Sequence, residues 1–561
     1  RFRGNVHVWV MIWTALVSLL LGWPSRCVCQ TPSDPAVPPV DPGTNANDVP
    51  AAVPGNVVRA GEALAVALPG GIAEAVSRVE AYDETGKAVA DAAVAENGVA
   101  VFSGETLAPR WYQLRYKNTA GESVGSTTAA VLMPFDRPWN PDDNPVGVDL
   151  AVSWLAPEDV PDSAAGLVRL ARMAGVGWVR DRLRWREIQP DPDTWAETTR
   201  YDATAELQKN SGLRVLSVFH DTPAWARSAD GSPIDLRHVY RFCAGLSRRF
   251  KGRIDAWEPW NEANAGDFGG WPIHRMCAWQ KAAYMGFKDG DPAIPVCWQP
   301  IGGINTPSQA KGILESGVTP YFDIFTIHSY DWAHSFASLW SNALQAASGK
   351  PLWITEIDRG IAGDLSDPLD DLPLDRALLK AKYIPQEYAL AMVNGAARVF
   401  HFILADYSET HSNNPIRFGL LRRDLTPRPA YVALAVAGRM LAGTACLGLK
   451  RFDEAPHLWA VGFRDKDTSR GDTLLMWSER DVDWPERGQT ETQYTLPEAL
   501  RAPLRCVDYL GRDVPVPDRF TGSPVYLMYS RDTLDIWFGT DGGKKEAEPS
   551  GTGSPSGVVL E

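Results

Sequence analysis

Between residues 139 and 443 the sequence carries eight short apolar runs, most of them followed by a longer stretch of helical periodicity. The apolar runs are Val146–Leu150, Gly177–Arg180, Leu213–Phe219, Ile254–Trp257, Ile294–Trp298, Phe322–Ile327, Leu352–Thr355 and Ala397–Phe402. Candidate helices at 164–174, 200–211, 235–250, 274–287, 373–394 and 429–442 follow most of them. Parallel strands joined by helical crossovers leave two arrangements, a closed (β/α)8 barrel or an open doubly wound sheet. No Gly-rich phosphate-binding turn follows the first run, which removes the main support for the open sheet. The expectation is an α/β protein whose 139–443 segment is a (β/α)8 TIM barrel.

A chain of 561 residues is too long for one domain. On either side of the barrel the pattern changes to short strand-like runs separated by turns. Leu64–Leu68, Val79–Tyr82, Val99–Phe102 and Trp111–Tyr116 predict an N-terminal β-sandwich over 56–138. His457–Phe463, Thr473–Trp477, Val525–Tyr529 and Thr533–Phe538 predict a C-terminal β-sandwich over 444–540. Residues 1–30 read as a signal peptide: Arg1 and Arg3 precede the apolar run Val8–Gly22, which is short for a membrane span. That reading implies a secreted, periplasmic or cell-envelope protein with no stable membrane insertion after cleavage; an uncleaved anchor is the alternative. Residues 31–55 form a Pro-rich linker, and 541–561 a polar tail predicted to be disordered.

The formal charge of −14 and the lack of a basic stripe argue against a nucleic-acid partner. Five cysteines follow the signal segment, and no pair has metal-ligand spacing. Cys446 and Cys506 fall in the same late unit and are the candidate disulfide, although connectivity does not follow from sequence. The 22 tryptophans invite two readings, filling of a large core or stacking on sugar rings.

In a (β/α)8 barrel the active site forms at the C-terminal ends of the strands. Those ends carry Ser153-Trp154, Arg180-Asp-Arg182, His220-Asp221, Asn261-Glu262, His328-Ser-Tyr330 and Glu356. Each has a plain reading. Arg180 could be a structural ion-pair partner, His220 and His328 satisfied mouth histidines, Tyr330 packing. Their joint placement at one barrel face favours a site. Two strand-terminal glutamates, Glu262 and Glu356, are the parts needed to cleave a glycosidic bond. Glu258, four residues before Glu262, reads as a structural carboxylate. Trp154, Trp225, Trp271 and Trp332 lie just past strand ends and are candidates for sugar stacking or for core.

The segment Trp257-Glu-Pro-Trp-Asn-Glu-Ala-Asn264 resembles the strand-4 motif of the retaining glycoside hydrolases of clan A. It is closest to the E-x-W-N-E-P-N form of family 39 and its relatives. Phe322–Tyr330 resembles their strand-6 D-x-x-x-x-H-x-Y segment, Trp353–Glu356 their nucleophile segment, and Arg180 their strand-2 arginine. The resemblance implies Glu262 as acid/base and Glu356 as nucleophile. It implies Asn261 on the sugar 2-hydroxyl, with Arg180, His220, His328, Tyr330, Trp154, Trp225 and Trp332 lining the substrate site. Apolar neighbours Trp257, Trp260 and Ala263 are expected to raise the Glu262 pKa, and Arg180 and Tyr330 to favour ionised Glu356. No metal or cofactor is implied, and the expected partner is a carbohydrate. Two departures stand out: Ala263 replaces the usual proline, and strand 8 ends in His401-Phe402 where many clan members place tryptophan. A transglycosylase using the same residues, or a barrel that binds glycan without turnover, are the alternatives.

Overall fold

Seven parallel strands pair in the order four, three, two, one, eight, seven, six, counted along the barrel. They are Val146–Asp149, Trp178–Arg184, Arg214–His220, Ala256–Glu258, Phe325–Ser329, Leu352–Ile357 and Ala396–His401. In this computed structural model the described residues are 54–539, except 157–161, 228–234, 304, 362–370, 407–416 and 483–486. The expected signal segment, most of the linker and the C-terminal tail lie outside them. The fifth strand, expected at Ile294–Trp298, is irregular, yet it closes the ring. Trp257 N–H donates to the Pro295 carbonyl and Cys297 N–H to the Trp257 carbonyl on one side; Trp298 N–H donates to Ile324 on the other. Parallel bridges Trp257–Val296 and Cys297–Ile324 mark the same junction. The result is a closed (β/α)8 ring, which leaves no open strand edge.

Helices follow each strand, among them Ser163–Met173, Arg200–Asn210, Leu236–Arg249, Ile273–Gly290, Pro307–Glu315, Leu374–Val393 and Pro429–Met440. Their starts are written locally. Thr199 with Asp202, and Thr306 with Gln309, form capping boxes that satisfy the first free N–H groups. Among the described residues no helix is long and apolar enough to cross a membrane.

Alternation along the strands fills the barrel in layers. Trp178, Leu216, Ala256, Cys297, Ile324, Trp353 and Phe400 meet in one apolar cluster at its lower end. The first strand supplies Gly147 there, because a Cβ at this position would come within 2.9 Å of the Phe400 ring. Two residues further along several strands the inward face turns polar, with Arg180, Glu258, Thr326 and Thr355, all fully buried.

The N-terminal unit has a five-stranded and a two-stranded sheet around a shared core that includes Leu64, Val66, Val79, Phe102, Tyr112 and Leu114. One face of the larger sheet covers this core, and part of the other packs on the barrel. In Arg110–Lys117, Tyr112, Leu114 and Tyr116 face that core, while Trp111 joins the barrel core and donates its Nε1 to the Pro427 carbonyl at 2.8 Å. A buried side chain of this size contributes on the order of 1.5–3 kcal/mol. The C-terminal unit likewise has a five-stranded and a two-stranded sheet, and Trp459 stacks on Trp477 on its barrel-facing side.

Two expectations for this unit are corrected. Cys446 and Cys506 are free thiols. They lie on Thr444–Arg451 and Arg505–Asp508, the two edge strands of the five-stranded sheet. Four inter-strand steps of about 4.8 Å separate those edges, far beyond the ~7 Å Cα reach of a disulfide. The expected last strand, Thr533–Phe538, ends instead in a short helix, Asp535–Phe538. Phe538 folds over Gly448 and Gly462, so this segment covers the sheet rather than extending it.

Candidate active site

Arg180 is the centre of the mouth. It is fully buried, and every arm of its guanidinium is engaged. Nε donates to Glu258 Oε2 at 2.8 Å, Nη1 to Asp149 Oδ2 at 3.0 Å and to Glu356 Oε1 at 2.5 Å, and Nη2 to Asn261 Oδ1 at 2.8 Å. Arg182, two residues on and therefore on the same strand face, binds Asp149 through both Nη atoms and reaches Glu356 Oε1 at 3.1 Å. Glu258 also accepts from Thr355 Oγ1 at 2.9 Å, which completes a buried set of charges paired on every side.

Glu356 enters this network against the strand alternation. Trp353 and Thr355 already face inward, so Glu356 would ordinarily point at the helices. The register with strand six skips a residue: Ile327 pairs with Ile354, but His328 pairs with Glu356. This bulge re-aims Glu356 into the barrel. Its Oε2 accepts from Tyr330 Oη at 2.5 Å. Burial alone would raise the Glu356 pKa, but the charges of His328, Arg180 and Arg182 and the Tyr330 hydrogen bond hold it well below the usual carboxylate range.

Glu262 is built differently. It follows the three-residue strand Ala256–Glu258 on a left-handed backbone, φ +43°, where a residue with a side chain is strained. Its Oε1 lies 2.7 Å from His328 Nδ1, which is also 3.5 Å from Glu356 Oε2. One oxygen of each glutamate and a ring nitrogen of His328 all fall within 4.8 Å of one another. Trp257 and Trp260 belong to the aromatic core: Trp257 stacks on Phe287 at 5.1 Å, and Trp260 stacks on Trp271 at 5.1 Å and donates to the Phe268 carbonyl. The group in hydrogen-bond contact with the Glu262 carboxyl is therefore His328.

Burial lowers the basicity of His328, but Glu356 and Glu262 together raise its pKa above the ordinary imidazole value. His220 goes the other way. Burial, with Arg182, Arg180 and Arg184 nearby, pushes it well below that value, so it is neutral. Its ring lies 4.4 Å from Trp154, whose ring also carries the Arg184 guanidinium at 4.3 Å. Trp332 is 5% exposed, and its ring meets the guanidinium groups of Arg359 at 5.0 Å and of Arg487, from the C-terminal unit, at 4.4 Å. Trp225 packs edge-on against Trp185 and His238, and Trp271 is core. The structure thus brings Arg180, Asn261, Glu262, His328, Tyr330 and Glu356 into one hydrogen-bonded group. His220 and Trp154 lie beside it, and Trp225 joins the aromatic packing.

Asp149, Arg182, Thr355, Asn264 and Gly302 were not singled out as site residues from sequence. Arg182 had a legible signal, since it shares Arg180's face of the strand. Asn264 donates Nδ2 to the Gly302 carbonyl at 3.0 Å and accepts the Gly302 N–H at 2.8 Å, a link no pattern announces.

The spacing of Glu262, His328 and Glu356 would suit a divalent ion, but both Glu356 oxygens already accept from Arg180, Arg182 and Tyr330. A second fully buried group, Asp358, Glu387 and His401, has comparable spacing. There Lys380 supplies the cation, 2.7 Å from Asp358, and Glu387 pairs with His401 at 2.5 Å.

No protein-family profile and no curated protein sequence matches the chain. Solved structures do. A GH30 endoxylanase from Clostridium papyrosolvens C71 aligns at 14% identity over 69% of this chain and 96% of that one, with a TM-score of 0.47. A family 39 glycoside hydrolase from the gut symbiont Bacteroides cellulosilyticus WH2 aligns at 16% identity over 85% of this chain and 99% of that one, with a TM-score of 0.64. The chain therefore shares the fold of that family 39 glycoside hydrolase over most of its length.

Proposed function

We propose that this chain is a retaining glycoside hydrolase acting on an oligosaccharide or polysaccharide. The observation that carries the reading is the pair Glu262 and Glu356, with oxygens less than 4.8 Å apart at the C-terminal barrel face. Retaining enzymes hold their two carboxyl groups about 5–5.5 Å apart, whereas inverting ones leave about 6.5–9.5 Å for a water. Glu356, kept ionised by Arg180, Arg182 and Tyr330, attacks the anomeric carbon as the bond to the leaving oxygen breaks. Glu262 gives that oxygen its proton. The glycosyl ester on Glu356 is then attacked by water, whose proton Glu262 takes back, and the Glu356 carboxylate is released. Asn261, oriented by Arg180, serves the sugar 2-hydroxyl.

Unpaired buried nitrogens at the mouth support a hydroxyl-rich ligand. His220 Nε2, His328 Nε2 and Trp154 Nε1 have no hydrogen-bond partner among the described residues. The same reading takes the flanking units as small β-sandwiches bracing the barrel, and residues 1–30 as an export signal. The test is a panel of aryl glycosides and polysaccharides with wild type, Glu262→Ala and Glu356→Ala, the product anomer being read by NMR. Net retention, and loss of turnover in both variants, is expected. Inversion, or full activity of either variant on a polysaccharide that wild type cleaves, overturns the proposal.

A further inference from the structure

Glu262 has few constraints of its own. It stands on a strained turn after a very short strand, and Ala265 N–H on its carbonyl is the backbone bond that closes that turn. Its carboxyl is placed from outside, on two sides. His328 holds Oε1. On the other side lies the backbone of Gly302, in the segment after the fifth strand. A Cβ built on Gly302 would lie 3.1 Å from Glu262 Cδ, 3.2 Å from Oε2 and 3.3 Å from Cβ. That is closer than side chains normally pack, so even one methyl group would have to displace the carboxyl by a few tenths of an ångström. Asn264, two residues after Glu262, grips the Gly302 peptide by both its N–H and its C=O.

We infer that Gly302 and Asn264 are positioning residues for the Glu262 carboxyl. Asn264 returns from the Glu262 turn to fix Gly302, and Gly302 forms the wall against which the carboxyl rests. A side chain on this wall would press on the carboxyl, its Cβ lying 3.1 to 3.3 Å from Glu262 atoms. Gly302 does not have a left-handed φ, so its backbone does not itself require glycine. The inference rests on the reading of Glu262 as proton donor. A carboxyl displaced by a fraction of an ångström still ionises and still folds, but it hands its proton less well to a basic leaving oxygen.

The probes are phenyl and dinitrophenyl glycosides of the sugar that wild type cleaves fastest, and the readout is kcat/KM, which reports the first chemical step. A phenyl leaving group needs the proton; dinitrophenolate departs without it. Gly302→Ala is expected to lose about tenfold or more on the phenyl glycoside and less than about threefold on the dinitrophenyl one. Asn264→Ala should show the same split, and it decides the matter if Gly302→Ala fails to fold. Equal losses on both substrates, or none, overturn the inference. Glu262→Ala is the control. If it shows the split and the two positioning variants do not, the inference alone fails. If Glu262→Ala shows no split, the assignment of the proton donor fails, and the inference with it.

Discussion

Glu356 and Glu262 stand close enough to share one histidine, yet they are held in opposite ways. The Glu356 side chain is 7% exposed and meets two guanidinium groups and a phenol, and a bulge in its own strand turns it toward them. Glu262 is more open, with a side chain 19% exposed, one hydrogen-bond partner for its carboxyl among the described residues and a glycine wall. The difference follows from their proposed tasks. A nucleophile has to stay ionised, so a cage of positive charge serves it. An acid/base has to gain and lose a proton in each turnover, and a comparable cage would lock it in one state.

The comparison predicts a graded set of effects. Glu356→Ala should lower turnover by at least about 10⁴-fold, as loss of a covalent nucleophile does. Added azide should then yield a glycosyl azide of inverted configuration, and no azide product would count against Glu356. Glu262→Ala should cost about 10²–10⁴-fold on substrates with poor leaving groups and far less on activated ones. Arg180→Met should leave Asp149 and Glu258 buried with less compensation and destabilise the fold by roughly 3–5 kcal/mol in urea unfolding. An unchanged midpoint would mean that the cage is not structural. Tyr330→Phe removes one charge-assisted hydrogen bond, worth roughly 1.5–3 kcal/mol, and should raise the pKa governing the acid limb of kcat/KM.

The smallest effect is a linkage. Because the folded-state pKa of Glu356 lies below its ordinary value of 4.5, its contribution to stability is complete above about that pH. It is lost as pH falls from there through the depressed value. Glu356→Gln should therefore flatten the acid side of a thermal-unfolding profile. It should also lower the His328 pKa, since the charge of Glu356 is what chiefly raises it. An imidazole titration by NMR that does not move between wild type and Glu356→Gln would break the proposed coupling.

The barrel was legible because its signals are local. Apolar runs and helical periods repeat over 139–443, and each expected helix is observed within a few residues, 235–250, for instance, as Leu236–Arg249; Pro307–Glu315 and Ser341–Ala347 were not among those expected. The irregular fifth strand still read as a strand, since its apolar run is needed to close the ring. Misreadings came where distant packing decides. Thr533–Phe538 has the composition of a strand, but the sheet in front of it offers glycines for Phe538 to cover. Cys446 and Cys506 share a unit, but the strand order places them at opposite edges.

The sequence by itself determined the strand–helix alternation and the presence of polar residues at one end of the strands. Alternation also put Arg180 and Arg182 on one face, because period two is a property of the backbone. Only the tertiary structure decided which glutamate would be caged. A skipped residue in the pairing of strands six and seven turns Glu356 inward, and register is a relation between strands that neither strand encodes alone. Only the tertiary structure set Gly302 against Glu262, because a contact between two turns arises once the barrel has closed.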